Sequence, residues 1–234
     1  MRADDFEFRR QLAKIGRPLD RIEWFMSPPT VNAYYDSQMN NINFPAGILQ
    51  PPFYDSKIDD AVNFGGIGAV IGHELTHGFD DQGRQFDPQG NLRDWWTKED
   101  ADEFQKRADC IADEYSGFTA VDNLKLNGRL TLGENIADNG GLRIAYMALL
   151  DTLAGKLGPK IDGFTPEQRL FLSFGQIWCT NRTDEQARLR ALTNPHSPGQ
   201  YRVNGVASNM PEFQKAFGCK PGQPMVRKNP CRVW

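Results

Sequence analysis

Residues 59–79 constrain the fold more than any other stretch of this sequence. Val62, Phe64, Ile67, Val70, Ile71, Leu75 and Phe79 recur at spacings near three and four, the period of a helix with one apolar face. Gly65, Gly66, Gly68 and Gly72 interrupt that pattern, and each glycine costs a helix about 1 kcal/mol relative to alanine. Four in one helix need a reason, and close approach of another backbone or of a ligand supplies one. The segment then runs into His73-Glu74-Leu75-Thr76-His77. Positions i and i+4 of a helix stand one above the other on one face, so both imidazoles can address a single ion. Zinc takes ring nitrogens at about 2.0–2.1 Å and favours four ligands. Glu74, about 100° further round the helix, reaches a water on such an ion without ligating it, the place of a general base. The alternative is a chance H-E-x-x-H on a solvated face. Two of only three histidines fall in the pattern, and its apolar, glycine-rich setting suits burial.

Two histidines and a water leave one protein ligand missing. The third histidine, His196, sits far off in an Asn-Pro-His-Ser-Pro loop, and no extended histidine motif follows His77. A carboxylate therefore completes the set, as in sites with two histidines and one glutamate. The candidate is Glu134 in Gly133-Glu134-Asn135-Ile136-Ala137-Asp138. Glu134 and Asp138 share one helical face, so a ligand and a carboxylate supporting a ligating histidine can be presented together. A solvated acidic helix face is the other reading of that pair.

The rest of the chain bounds the class. With 234 residues it is long enough for one domain with a real core. A formal charge of −3 offers no basic field for nucleic acid. Apolar residues at 39% and charged residues at 24% fit a globular protein. No apolar run is long enough to cross a bilayer, and the charged MRADDFEFRR start is no signal peptide. The chain is thus expected to be cytosolic, or else a mature or truncated piece of something longer. A short helix and an extended lead-in are expected over residues 1–30. Val31, Ala33, Tyr34 and Tyr35 suit an edge strand, and Asn40, Asn41 and Asn43 a turn. Helices are expected from Thr97 as N-cap, over 130–154, and from Thr165-Pro166 through Trp178. A loop-rich region is expected after Asn194-Pro195, with a short helix near Pro211 to Phe217. Four cysteines, Cys110, Cys179, Cys219 and Cys231, allow three full pairings, among which spacing does not choose.

Several blocks in one order make the sequence resemble the catalytic portion of the neprilysin-like zinc endopeptidases, which include the endothelin-converting enzymes and bacterial relatives. They are Val31-Asn32-Ala33-Tyr34-Tyr35, FPAGILQPPF (44–53), GGIGAVIGHELTHGFDDQGRQFD (65–87), LGENIADNGGL (132–142), NPHSPGQYRVNG (194–205) and the terminal Cys231-Arg232-Val233-Trp234. The resemblance implies a mainly α, α+β fold: a thermolysin-like zincin lobe with a short edge-strand sheet and several helices. It implies one zinc ion held by His73, His77 and Glu134, with Glu74 as base and proton shuttle. It implies that Asp138 orients the first histidine and Asp80 the second. His196 matches the group that stabilises the tetrahedral oxyanion, and Arg202 the one that bonds the substrate carbonyl beyond the scissile bond. Asn32 and Ala33 match a strand that pairs with the substrate backbone. Ile48, Phe53, Val70, Ile177 and Trp178 resemble the wall of an apolar pocket for the residue after the cleaved bond. Composition alone would place most of these in the core, and Ile48 and Val70 read equally well either way.

The resemblance further implies peptide substrates and a second, helical lobe on the N-terminal side, on the same or a separate chain, that is absent from residues 1–234. Cys110 and Cys231 match positions that pair in the family. Cys179 and Cys219 match positions whose partners lie in the absent part. Disulfide use, with the weak sequon Asn181-Arg182-Thr183, points to an extracytoplasmic setting. Two other readings stand beside the enzyme: a truncated, non-catalytic zinc-stabilised peptide-binding module, and a thermolysin-type enzyme of another family, against which the His196/Arg202 block speaks.

Overall fold

The computed structural model describes residues 2–156 and 158–234; Met1, which opens the charged N-terminal stretch, and Leu157 lie outside them. The charged start forms helix α1, Arg2–Leu12, which buries none of its residues. An extended segment leads to a hairpin of β1, Tyr34–Asp36, and β2, Asn41–Asn43, in antiparallel register with Tyr35 opposite Ile42. Asn41 and Asn43, expected in a turn, form the second strand instead. The reason is that Asp36 starts the turn earlier: its carboxylate accepts the backbone N–H groups of Gln38 and Met39. Asn40 closes that turn at φ +48°, a conformation asparagine tolerates. Asn32 and Ala33 precede the strand rather than belong to it.

The glycine-rich segment is helical throughout but not uniformly α. Helix α2, Asp60–Asn63, passes through a π turn at Phe64–Gly68 into α3, Ala69–His77. At the π turn the Ile67 N–H donates to the carbonyl of Phe53, 2.8 Å away in the preceding loop. A loop carbonyl thus occupies a donor inside the wide turn.

Helix α4, Lys98–Ser116, begins as expected, with the Thr97 hydroxyl accepting from the Asp100 N–H. A small hairpin of β3, Thr119–Val121, and β4, Leu124–Lys125, follows. Helix α5, Leu132–Leu153, is the centre of the molecule, with Asn135 to Leu142 buried without a break. Such all-round burial marks a core helix. It separates two apolar clusters. One includes Ile48, Val70, Leu142, Leu170, Phe174 and Val206; the other includes Phe104, Ile111, Tyr115, Ile136 and Val233. Helix α6, Pro166–Ile177, carries a full capping box between Thr165 and Gln168.

Helix α7, Asp184–Thr193, falls where no element was expected, and α8, Gly199–Ser208, replaces part of the loop expected after Pro195. Helix α8 starts where the Pro198 carbonyl accepts from the Tyr201 and Arg202 N–H groups. Packing against α5, with α6 alongside, sustains it despite the internal Gly205, and the Tyr115 hydroxyl of α4 donates to the Tyr201 carbonyl at 3.3 Å. Helix α9, Pro211–Phe217, is as expected.

Glycine's reason for being in α3 is a helix crossing. A Cβ on Gly72 would lie 2.5 Å from the carbonyl oxygen of Gly141 on α5. The two backbones touch where side chains would hold them apart. A disulfide joins Cys110 on α4 to Cys231 in the C-terminal tail, 121 residues on. Cys179 and Cys219 are unpaired, the first exposed and the second half-buried. Among the described residues no helix is long and apolar enough to cross a membrane.

Candidate metal centre

The Gly72–Gly141 crossing sets His73 and His77 of α3 opposite the first turn of α5. Their Nε2 atoms lie 3.0 Å apart. Glu134 Oε2 lies 3.3 Å from that of His73 and 3.7 Å from that of His77. Ligands held tetrahedrally at about 2.0–2.1 Å from a zinc ion stand about 3.3 Å from one another, so this triangle has the size the metal requires.

The far side of each ring explains the chemistry of the near side. His73 Nδ1 lies 2.8 Å from Asp138 Oδ1, and His77 Nδ1 lies 2.6 Å from Asp80 Oδ2. The His77–Asp80 contact is a hydrogen bond, whereas His73 Nδ1 meets Asp138 at ion-pair distance without hydrogen-bond alignment. A carboxylate beside Nδ1 favours a ring hydrogen there and an Nε2 lone pair turned inward. Glu134 Oε2 is buried with no hydrogen-bond partner. Three electron-pair donors therefore face one point, an arrangement that repels itself until a cation sits among them. The residues fit zinc on this ground. A proton is the substitute: burial works against a charge on His73, yet Asp138 and Glu134 outweigh it and push its pKa up to about 10. Burial likewise opposes ionisation of Glu134, but His73 and the other nearby histidines hold its carboxyl down at about 2.

The supporting carboxylates are themselves fixed. Asp80 accepts the backbone N–H groups of Gln82 at 2.8 Å and Gly83 at 2.6 Å. Asp138 accepts both the Nε and Nη2 hydrogens of Arg202, each at 2.6 Å. The Arg202 guanidinium in turn lies 3.6 Å from the centre of the Trp178 ring, a cation–π stack. Burial opposes ionisation of Asp138, but Arg202 and His73 hold its carboxyl well below the usual range.

Glu74 stands further out. It is 5% exposed, and its carboxylate falls within 4.8 Å of both ring nitrogens, whereas Glu134 closes the tighter triangle. Burial pushes the Glu74 pKa up, toward the range where a carboxylate both takes and releases a proton. His196 enters from the loop before α8. Its Nε2 is 3.3 Å from Glu134 Oε1, and its Nδ1 donates to Asn194 Oδ1 at 3.0 Å. Burial lowers its pKa.

These groups share one cavity of about 480 Å³. Asn32 and Ala33 line it, as do Ile48, Phe53, Val70, Trp178 and Arg202. Ile48 and Val70 are both core and wall: each is under 9% exposed and still borders the cavity. Ile177 does not border it and packs into the core instead. Neighbours on a helix point about 100° apart, so Ile177 and Trp178 cannot share a face. Phe174, one turn before Trp178, lines the cavity in its place, and the i, i+4 spacing was available to find it. Arg202 reaches the cavity, but its strongest contacts are to Asp138. Asn135, Asn194 and Ser197, which hold the His196 loop, lie inside the quoted motif blocks, but the sequence reading gave them no role.

The model of peptidase family M13 matches residues 32–233. Human endothelin-converting enzyme 1 is 47% identical over the whole chain, which covers 31% of that protein. A homologue of endothelin-converting enzyme from Locusta migratoria is 46% identical, again over the whole chain and 32% of its own length. A crystal structure of Mycobacterium tuberculosis zinc metalloprotease Zmp1 in complex with inhibitor superposes with a TM-score of 0.93 at 47% identity, covering 97% of this chain and 35% of that one. The chain thus spans about a third of the length of the relatives it matches. The resemblance drawn from the motif blocks, the mainly helical fold with its two small hairpins and the superposition agree, and the chain belongs to peptidase family M13.

Proposed function

We propose that this chain is the catalytic portion of a zinc-dependent endopeptidase acting on oligopeptides, with one zinc ion held by His73, His77 and Glu134. The convergence of their three electron-pair donors carries the reading. Zinc bound there supplies Lewis acidity toward a water and the scissile carbonyl. Glu74 takes the proton of the attacking water and delivers it to the leaving amine. Asp138 and Asp80 keep the Nδ1 hydrogens in place and fix both rings. His196 and Arg202 border the same cavity; His196, protonated at Nε2 as well as Nδ1, donates to the oxygen that gains charge, and Arg202 bonds the next carbonyl while holding Asp138. Asn32 and Ala33, leading into β1, pair with the extended substrate backbone. Ile48, Phe53, Val70 and Trp178 wall the space for an apolar side chain after the cleaved bond, so cleavage falls on the N-terminal side of apolar residues.

The remaining two thirds of the relatives' length is the place for a lobe that covers this cavity and restricts substrate size. The Cys110–Cys231 disulfide supports an extracytoplasmic setting. A quenched peptide with an apolar residue after its scissile bond tests the assignment. Cleavage that chelator stops and added zinc restores is the expected result. Stoichiometric zinc binding with no cleavage would instead make the chain a peptide-binding module.

A further inference from the structure

The loop that carries His196 is fastened to the helix that carries Glu134 by two adjacent contacts. Glu134 Oε1 meets His196 Nε2 at 3.3 Å. One residue along each segment, Asn135 Oδ1 accepts from the Ser197 hydroxyl at 2.8 Å. Asn135 and Ser197 are 0% and 3% exposed, so no water competes for this bond. The other end of the Asn135 amide is occupied as well, since its Nδ2 donates to Thr131 Oγ1 at 2.9 Å. Asn135 therefore spans from the start of α5 to the His196 loop and cannot turn without losing a partner. Within the loop, Asn194 Oδ1 accepts both the His196 backbone N–H, at 2.9 Å, and the ring Nδ1 hydrogen, at 3.0 Å. Pro195 and Pro198 flank the pair and fix two further φ angles.

We infer that Asn135 and Ser197 are positioning residues for His196: their hydrogen bond holds the imidazole at a set height above the metal triangle. Neither touches the reacting atoms. Glu134 faces the metal point while Asn135, about 100° round the helix, faces the loop. The histidine is thereby referenced to the same helical turn that supplies the third metal ligand. Misplacing a catalytic group by about 1 Å costs up to about a hundredfold in rate. A bond one residue from His196 is the contact best placed to prevent that.

The inference rests on the peptidase reading for its kinetic arm and on geometry alone for its spectroscopic arm. In Ser197→Ala, kcat for a quenched apolar peptide falls about tenfold, the range of one lost hydrogen bond, with KM and zinc content unchanged. Ser197→Thr, which keeps the hydroxyl, recovers most of the rate. In a His196→Ala background, Ser197→Ala causes no further loss, because the two act as a unit. An equal loss in both backgrounds, or loss of zinc, would overturn the inference. The chain has three histidines, so ring-labelled His196 is separately observable by NMR. Its resonances shift and broaden in Ser197→Ala while those of His73 and His77 hold. Unchanged His196 resonances would overturn the inference whether or not the protein cleaves peptides. A zinc-loaded wild type without activity would defeat the peptidase reading and leave this spectroscopic test standing.

Discussion

The metal centre and the N-terminal arm use the same kind of interaction to opposite effect. In α1, Arg9 pairs with Asp5 and Arg10 with Glu7, all in open solvent. Phe6 and Phe8 are 68% and 63% exposed, and the helix buries nothing. At the centre, Arg202 and Asp138 are 6% and 2% exposed and meet through two parallel hydrogen bonds. Exposed pairs contribute about 0–1 kcal/mol. A buried pair is expensive to form, yet removing one partner strands a charge. The arm can rearrange at little cost, whereas the centre holds its carboxylates and rings in one geometry.

The comparison breaks most sharply at Glu74. Glu74→Gln keeps the shape and the zinc, and turnover falls about 10²–10⁴-fold; metal analysis beside peptide cleavage checks it, and retained activity would remove Glu74 from its role. Asp138→Ala leaves the buried Arg202 without its two short hydrogen bonds and with only the Glu134 carboxylate 3.8 Å away, with an expected loss of about 3 kcal/mol, read by denaturant unfolding of the zinc-free protein. Gly72→Ala drives a methyl into the Gly141 carbonyl and pushes α3 from α5. About 1–3 kcal/mol of stability goes, and zinc affinity drops with it, measurable by calorimetry. At the other end, Asp5→Ala in α1 changes stability by under about 0.5 kcal/mol. A larger effect there would mean the arm is packed against something in solution.

What could be read in advance follows the same division between local and long-range causes. Thr97, Thr165 and Pro166 announce their helices because a cap is a local bond, and the structure makes those bonds. His73 and His77 are legible because a helix fixes the spacing of i and i+4. The π turn is not, since the carbonyl of Phe53 that shapes it lies outside the helix. Helix α8 hid behind Gly199 and Gly205 and packs mainly on α5, a helix remote in sequence. Glycines in α3 signalled a close approach, but not that Gly141 was the partner. Asn135 and Ser197 sit inside two separate motif blocks; 62 positions divide them, and only folding reveals that they meet.

The Cys110–Cys231 bond has a topological consequence. It closes a covalent ring that contains Glu134, Asp138, His196 and Arg202, while His73, Glu74 and His77 remain on the linear part of the chain outside it. An ion seated among His73, His77 and Glu134 would fasten the free arm to the ring. Metal and sulfur chemistry would then lock the same assembly from two independent directions.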